Sequence, residues 1–483
     1  MQEGEAAFFS LSPFDAARYK GLLEGLDITE LRLSEIFREN EKLRIDDTFF
    51  NKLAVLTQRR VEAMPHVQLG EIASIVRKGI FDINADAYTE TGVPFVRITN
   101  LQSGLISTNN IAFIPPAIHA VENKTALFRG DIILSKTAYA AAAWVNLDEC
   151  NTSQDTVAVR LSSAGRKRLR SGAIVAFLNS AHGRALMWRQ FQGNVQAHLS
   201  LPDAKKLPLP VFGEAMQQRL EESLIEADVS IKRAESTLGI AEQALLRALG
   251  LDTWQPSEPL TYVRRASEVA EVARFDSEFF APRTVQLLGK LGAGGRTIRD
   301  VAPPRHEEFK AAGGPGEFDY IEIGSLRGDG TVGSERLACA EAPSRATWHV
   351  RDGDVVTSTV RPNRRLSALI TPEQEGFVAS SGFVVLRPQA VPAEVLLTYL
   401  RLPPVCEVMD LHTSASLYPT ISETDLLKLP FPKLDAKVCD KVTAAVRAAH
   451  IARREAHALL ARAQRAVEVA IEQGESAAMK LLK

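Results

Sequence analysis

The chain repeats itself once, and that feature constrains its fold more than anything else in the sequence. Arg44-Ile-Asp-Asp-Thr-Phe-Phe50 returns as Arg274-Phe-Asp-Ser-Glu-Phe-Phe280, 230 positions on. The string Phe95-Val-Arg-Ile-Thr-Asn-Leu-Gln-Ser-Gly-Leu-Ile106 returns between Tyr320 and Val332, with its start shifted by 225. Gly130-Asp131 and the strand-like run after it return at Gly353-Asp354, a shift of 223. Leu207-Pro-Leu-Pro210 returns as Leu429-Pro-Phe-Pro432, a shift of 222. Each match is short and weak alone. Four in one order, with shifts between 222 and 230, are a tandem duplication of a unit of roughly 225 residues.

Each unit opens with short β-branched or aromatic runs between Gly, Asn and Pro turns, which read as strands. In the first copy these are Phe95–Ile98, Ile132–Leu134 and Thr156–Arg160; in the second, Tyr320–Ile323, Val355–Val360 and Gly382–Arg387. A helical stretch follows, Gly172–Phe191 in one copy and Ala393–Asp410 in the other, the latter broken at Pro403-Pro404. A polar loop and the Pro-rich segment then end the unit. Past that stop the period changes. An apolar seam runs through Leu220, Leu224, Ala227, Ile231, Ala234, Leu238, Ala241 and Leu245, alternating steps of four and three as in a coiled coil. The second seam is Val438, Val442, Ala445, Ala449, Ala452, Ala456, Leu459, Ala463, Ala466 and Ala470. Large residues dominate one seam and alanine the other, so the sequence predicts that the two helices pack closely on each other within the chain. The competing reading is that each covers its own domain. At ~1.5 Å per residue, 35 residues make a rod of roughly 50 Å, and antiparallel pairing is expected to set two β-rich modules at its ends, related by a pseudo-twofold axis.

The expected fold class is therefore mixed α/β (α+β): two β-rich domains separated by two long helices in an antiparallel coiled coil. The expected boundaries are 1–60 for an N-terminal helical segment, 61–210 for the first module and 211–255 for the central helix. The second module follows at 256–432 and the last helix at 433–483. Residues 28–47 read as one leading helix.

Composition narrows the function. With 483 residues and 45% hydrophobic content the chain can bury more than one core. Fifty-seven Lys and Arg against 59 Asp and Glu leave a net charge of −2, so any DNA site is a local basic patch or shares its grip with a partner. The four cysteines, Cys150, Cys339, Cys406 and Cys439, contain no C-x-x-C pair, which points away from a zinc module and toward a reducing compartment. Apolar runs such as Ile174–Leu178 are far short of a bilayer span, and the first residues show no signal-peptide core, so a cytoplasmic location without membrane contact is expected.

The order of β-rich module, long helix, β-rich module, long helix resembles the specificity (S) subunit of type I restriction-modification systems. The strings FVRITNLQSGLI, RGDIILSKT and the LPLP ending before a coiled-coil helix are similar too, over about residues 40 to 475. The resemblance implies two target recognition domains, each reading half of a split, asymmetric DNA sequence. It also implies that the long helices space these domains and dock two adenine-N6 methyltransferase subunits, with two restriction subunits completing a restriction complex. S-adenosylmethionine and ATP with Mg are then expected on those partners only, and this chain is expected to hold no cofactor. The alternatives are a duplicated β-module protein-binding scaffold that never touches bases, or the specificity subunit of another methylation-based phage-defence complex.

Candidate DNA contacts follow the Gly-Asp turns: Ser135, Lys136, Thr137 and Tyr139 in one copy, Ser358, Thr359, Arg361, Asn363, Arg364 and Arg365 in the other. Arg and Lys suit guanine, Asn suits adenine, and hydroxyls suit phosphate. A second set lies before the Pro-rich stops: Gln192, Asn194, Gln196 and His198, then His412, Thr413, Ser414, Ser416 and Tyr418. Arg97, Thr99 and Asn100 form a third, matched by Glu322, Gly324 and Ser325. The blander reading of each is a solvated hairpin edge or helix cap. The helix-pairing candidates are Leu220, Leu224, Ile231, Leu238, Leu245, Val442, Ala449, Ala456 and Leu459. No Asn/Asp-Pro-Pro-Tyr/Phe string, no phosphate-binding G-x-x-x-x-G-K-[S/T] loop and no H-x-H or H-E-x-x-H pattern is present. Glu122-Asn-Lys124 lacks the upstream partner of a nuclease site, and the 313–316 glycine run lacks a following helix start. The sequence thus predicts a non-catalytic protein.

Overall fold

The computed structural model describes residues 15–26, 28–38, 40, 42–44, 46–81, 83, 85–102, 104–193, 197–272, 274–310, 316–414 and 418–482. These form two compact units. Unit 1 comprises the described residues of 1–107, 111–225 and 459–483; unit 2 comprises those of 108–110 and 226–458.

The duplication is visible strand by strand. Unit 1 has a four-stranded sheet in the order Ala112–Ile114, Val93–Val96, Glu149–Thr152, Leu127–Phe128. Unit 2 repeats it as Glu335–Ala338, Glu317–Ile321, Val378–Ser380, Ala346–His349. In both, the central pair is parallel and the flanking pairs antiparallel. A second sheet repeats likewise: Ile132–Ser135 lies between Thr156–Leu161 and Ala142–Trp144, as Val355–Ser358 lies between Phe383–Leu386 and Ser367–Leu369. The buried runs of these central strands (Ile132, Ile133 and Leu134; Val355 and Val356) read as continuous apolar stretches because both faces are covered.

The duplicated strings are structural. Gly130 (φ +89°) and Gly353 (φ +79°) take the left-handed conformation that lets the chain turn into these strands. The aspartate after each is buried and ion-paired. Asp131 accepts from Arg160 Nε and Nη2 at 2.9 and 2.8 Å and from the Phe128 N–H at 3.0 Å. Asp354 accepts from Arg305 Nε and Nη2 at 2.7 and 3.0 Å and from the Arg351 N–H at 2.8 Å. The R-x-D-x-x-F-F string is a clasp. Arg44 holds Asp46 through Nε and Nη2 at 2.8 and 2.7 Å and donates to the carbonyls of Arg189 and Phe191 at 2.8 and 2.9 Å. Arg274 holds Asp276 at 2.8 Å and donates to the Leu411 carbonyl at 2.8 Å. Each guanidinium also lies over a ring, Phe49 at 4.9 Å and Phe279 at 4.4 Å.

The arginine in each clasp holds its carboxylate below the usual Asp range, against a smaller opposing effect of burial. A depressed folded-state pKa contributes stability that is present above the unfolded value of about 3.9 and lost as pH falls through the folded one. Thermal unfolding of the wild type is therefore expected to weaken more steeply below about pH 4 than that of the Asp46→Asn, Asp276→Asn double variant. Parallel curves between pH 6 and 3 would remove the clasp from the acid response.

The sequence places one helix at Gly172–Phe191; the structure has two, Ser171–Asn179 and Ala181–Arg189. Ser180 breaks them and caps the second, its Oγ accepting from the Gly183 N–H at 3.2 Å. In unit 2 the same break falls between Ala393–Leu400 and Pro403–Leu411, where prolines announce it. The 28–47 region is not one helix either. Short helices at Ala16–Leu23 and Leu33–Arg38 precede Lys52–Glu62, which reappears in unit 2 as Pro282–Leu291. The Pro-rich stops are short strands, Pro208–Pro210 on His66–Gln68 and Pro430–Phe431 on Arg296–Thr297. Two-stranded pairs tolerate proline because its missing N–H can face away from the partner.

The long helices are Glu214–Ala248 and Ala436–Gln473, and each unit holds one end of both. They run antiparallel. In unit 2 Ala234 clusters with Ala449 and Ala452, Ala241 and Leu245 share a core with Val442 and Val446, and Arg233 pairs with Glu455 at 2.7 Å. In unit 1 the segment after the second helix meets the start of the first: the Gly213 N–H donates to Glu475 at 2.9 Å and Arg219 Nη2 to the Leu482 carbonyl at 2.7 Å. Leu220, Leu224, Leu245, Val442, Ala449 and Ala456 are buried, while Ile231 and Leu238 are half-buried. Leu459 is a correction: it is half-buried, and Leu460, at 3% exposure beside Gly104, takes the seam position. The step after Ala456 is four residues because the helix must bury a stripe wide enough to meet both the partner helix and its own unit. The same core in unit 2 includes Leu287, Val355, Leu386 and Tyr399, so the helices pair and also close the modules.

Cys150 and Cys406 are buried, and burial pushes their thiols up to about 12 and about 11; Cys339 and Cys439 are half-buried. Among the described residues no helix is long and apolar enough to cross a membrane.

Candidate nucleic-acid interface

The first two predicted sets, distant in sequence, are brought together by backbone pairing in both units. In unit 1 Thr137 bridges His198 and the Leu199 N–H donates to the Lys136 carbonyl at 2.8 Å. In unit 2 Val360 bridges Thr420 and the Ile421 N–H donates to the Thr359 carbonyl at 2.9 Å. The second set itself forms a two-stranded ribbon, Phe191–Gln192 with His198–Leu199 and Thr413–Ser414 with Thr420–Ile421. Asn194, Gln196 and Ser416, between those strands, lie outside the described residues.

One backbone feature recurs at the junction. Ala138 (φ +63°) and Arg361 (φ +51°) occupy the same place in the repeat and both are left-handed, which costs a non-glycine residue roughly 1–3 kcal/mol. In unit 2 the turn is held by the Arg361 N–H on the Pro419 carbonyl at 2.8 Å. The Arg361 guanidinium lies 5.0 Å from the centre of the exposed Tyr418 ring. Asn363 and Arg364 are exposed next to it. Together they present two cations, an amide and an aromatic face on one loop.

Unit 1 gathers a different set on the same frame. Tyr139 is exposed and its hydroxyl donates to the Ile98 carbonyl at 2.7 Å, which ties the third predicted set to the first. Thr99 and His198 are exposed, and Arg97 is half-buried with its guanidinium 5.8 Å from the Tyr88 ring. Partial burial, then the neighbouring Lys78 charge, hold Lys136 below its usual range against the pull of Asp155. Lys78, with its Nζ 4.4 Å above the exposed Phe81 ring, was missed by sequence reasoning, although the run Lys78-Gly-Ile-Phe81 set a cation beside an aromatic residue.

Several predicted contacts prove to be internal. Ser135 and Ser358 are buried at 0% and 1% exposure. Ser135 Oγ accepts from the Ala141 N–H at 2.8 Å, and Ser358 Oγ donates to the Val360 carbonyl at 3.0 Å and accepts from its N–H at 3.1 Å. They close the strand ends, where both faces of the strand are covered, so every position of the strand is buried. Asn100 is buried, accepting from the Arg97 N–H at 3.1 Å and donating to the Ser107 carbonyl at 3.0 Å. Thr137 is buried within the bridge. Arg365 donates to the Arg401 carbonyl at 2.6 Å and pairs with Glu242 of the first long helix, so it anchors the loop. Thr359 Oγ1 donates to the Gly382 carbonyl at 3.0 Å, Thr413 Oγ1 to that of Asp410 at 2.7 Å, and Ser414 Oγ to that of Thr420 at 3.4 Å. Gln192 donates to Asp203 at 2.9 Å, and the half-buried His412 accepts from Arg274 at 3.5 Å.

Chemically, each unit offers a two-stranded ribbon whose flank carries exposed donors. A ribbon of that kind fits the ~12 Å major groove, where Arg and Asn side chains read base edges. Among the described residues no group of three or more His, Cys, Asp or Glu stands ready for a metal ion.

No protein-family model and no curated protein matches this chain. Solved structures do. A type I restriction-modification system S subunit from M. genitalium is 11% identical over 86% of this chain and 95% of its own, with a TM-score of 0.34. The HsdS subunit from Thermoanaerobacter tengcongensis is 17% identical over 85% and 97%, with a TM-score of 0.27. A chain from a structure of type I R-M complex assembly and conformational transition is 15% identical over 85% and 98%, with a TM-score of 0.26.

Proposed function

We propose that this chain is a non-catalytic DNA sequence-specificity subunit that reads a bipartite, asymmetric target. One observation carries the reading. The same loop-and-ribbon platform is built twice with matching backbone register, while its side chains differ: the half-buried Lys136 and exposed Tyr139 and His198 in unit 1, the half-buried Arg361 and exposed Asn363, Arg364 and Tyr418 in unit 2. A shared frame with different tips is what two readers of unlike half-sites need. The proposed recognition domains are 61–210 and 256–432, joined by the paired helices. Double-stranded DNA is the proposed target, and two adenine-N6 methyltransferase subunits are the proposed partners, joined in a restriction complex by two restriction subunits. S-adenosylmethionine and the ATP and Mg consumed in restriction belong to those partners in this reading. The near-zero net charge fits a grip shared between subunits.

The test is selection from a library of split duplexes by the reconstituted methyltransferase complex. Replacing Arg361, Asn363 and Arg364 together by alanine is expected to relax one half-site and leave the other sharp. Each bidentate base contact is worth about 1–3 kcal/mol, or roughly 5- to 150-fold per contact. Unchanged selection, or equal loss at both halves, would refute the assignment.

A further inference from the structure

The ribbon reading leaves one cavity of unit 2 without a task. It has a volume of about 560 Å³, within the range of small-molecule sites, and lies where the second long helix meets the strands around Gly353 and Ile370. Its lining mixes three kinds of group. Leu369, Ile370 and Ile451 supply apolar surface, Arg327, Arg447, Arg453, Arg454, His450 and His457 supply cations or potential cations, and Asp352 and Glu394 supply carboxylates.

Three of the arginines already have carboxylates: Arg447 on Glu394 at 2.5 Å, Arg454 on Glu373 at 3.5 Å, and Arg453 on Asp329. Arg327 has none among the described residues, and its exposed guanidinium borders the cavity. His450 Nε2 is buried and has no hydrogen-bond partner, a condition native proteins rarely leave unexplained. Burial first, then the nearby arginines, keep both imidazoles below their usual range, with Glu394 opposing at His450. Apart from Arg454, whose counterpart is Lys232, the helix part of the cluster is specific to one copy. At the corresponding positions of the first long helix, 222 residues earlier, stand Ile225, Asp228, Ile231 and Glu235 instead of Arg447, His450, Arg453 and His457. The repeated fold therefore closes without it.

We propose that this cavity binds a nucleoside phosphate, with Arg327 and the helix arginines on the phosphates, His450 donating to the ligand, and the apolar lining against the base. Guanidinium groups form short, charge-assisted bonds to phosphate oxygens, and an unpaired one contributes without first breaking an internal ion pair. A planar base suits the Leu369 and Ile451 surface, which a bare anion leaves unused.

Isothermal titration of the full chain without DNA tests this, with ATP, AMP, adenosine and inorganic phosphate as probes. Saturable one-to-one binding of ATP is expected, with adenosine and inorganic phosphate each weaker by at least about tenfold, or 1.4 kcal/mol. Arg327→Ala is expected to weaken ATP by a similar factor while leaving the melting temperature unchanged. Ile451→Asp, at a half-exposed position, is expected to weaken it through the base. Absence of ATP binding, equal binding of inorganic phosphate, an unaffected Arg327→Ala variant, or displacement of ATP by a short duplex oligonucleotide would each overturn the proposal. Half-site selection by the reconstituted complex is expected to be the same with Arg327→Ala, so failure here is separable from failure of the DNA reading.

Discussion

Asp354→Ala is expected to unfold unit 2 at a much lower temperature, at a cost of about 3–5 kcal/mol. The carboxylate is 1% exposed and takes both a bidentate arginine and a backbone N–H. Removing it leaves the Arg305 guanidinium, whose exposure is only 21%, with only the more distant Glu307 at 3.9 Å. The loss is far larger than for a surface pair, which is worth about 0–1 kcal/mol. Asp131→Ala is expected to act alike in unit 1, where Arg160 Nε and Nη2 lose the same partner. Differential scanning calorimetry of both variants checks this, and a shift below about 1 kcal/mol in either would mean that the turn holds without its carboxylate.

Leu224→Glu is expected to be the more damaging of two substitutions along one seam. Leu224 is 1% exposed, so a carboxylate there has to be neutralised or drag water into the packing, an effect beyond about 4 kcal/mol. Leu238 is half-buried, and a glutamate at its place can reach solvent. The predicted order is loss of the folded unit and of the proposed methyltransferase docking with Leu224→Glu, and a milder effect with Leu238→Glu. Circular dichroism melts and pull-down of a methyltransferase subunit measure the two. Equal, small effects would show that the helices do not depend on this seam.

Much of the architecture was legible in the sequence because duplication offers two independent statements of each element. The broken helix shows the value of this. Pro403-Pro404 announces the break in one copy, whereas Ser180 and Gly183 encode the same break through a cap that looks like ordinary helix sequence. Heptad counting placed the helix seam correctly until Leu460, where a stripe serving two neighbours departs from strict alternation. The interface was half legible. Exposed Asn363, Arg364, Tyr139 and Tyr418, with Arg361 beside them, come from turn and loop chemistry that can be read directly. The burial of Ser135 and Ser358, and the anchoring of Arg365 by Glu242, depend on the cover over both faces of their strands and on a residue more than a hundred positions away. The pairing of loop and ribbon was not legible at all, since nothing local marks Thr137 as the neighbour of His198.

The division of the chain between its units has a consequence for synthesis. Unit 2 is nearly continuous in sequence, but unit 1 needs residues 459–482, which supply Leu460, Ala463, Ala466 and Val467 to its interior and contacts from Glu468 and Glu475 to Ala181 and Gly213. On the ribosome the half translated earlier therefore has to wait, its apolar surface open, until the half translated later has emerged. The nascent first unit is the species a chaperone would meet, and stalled translation before residue 459 would leave it the more vulnerable to proteases.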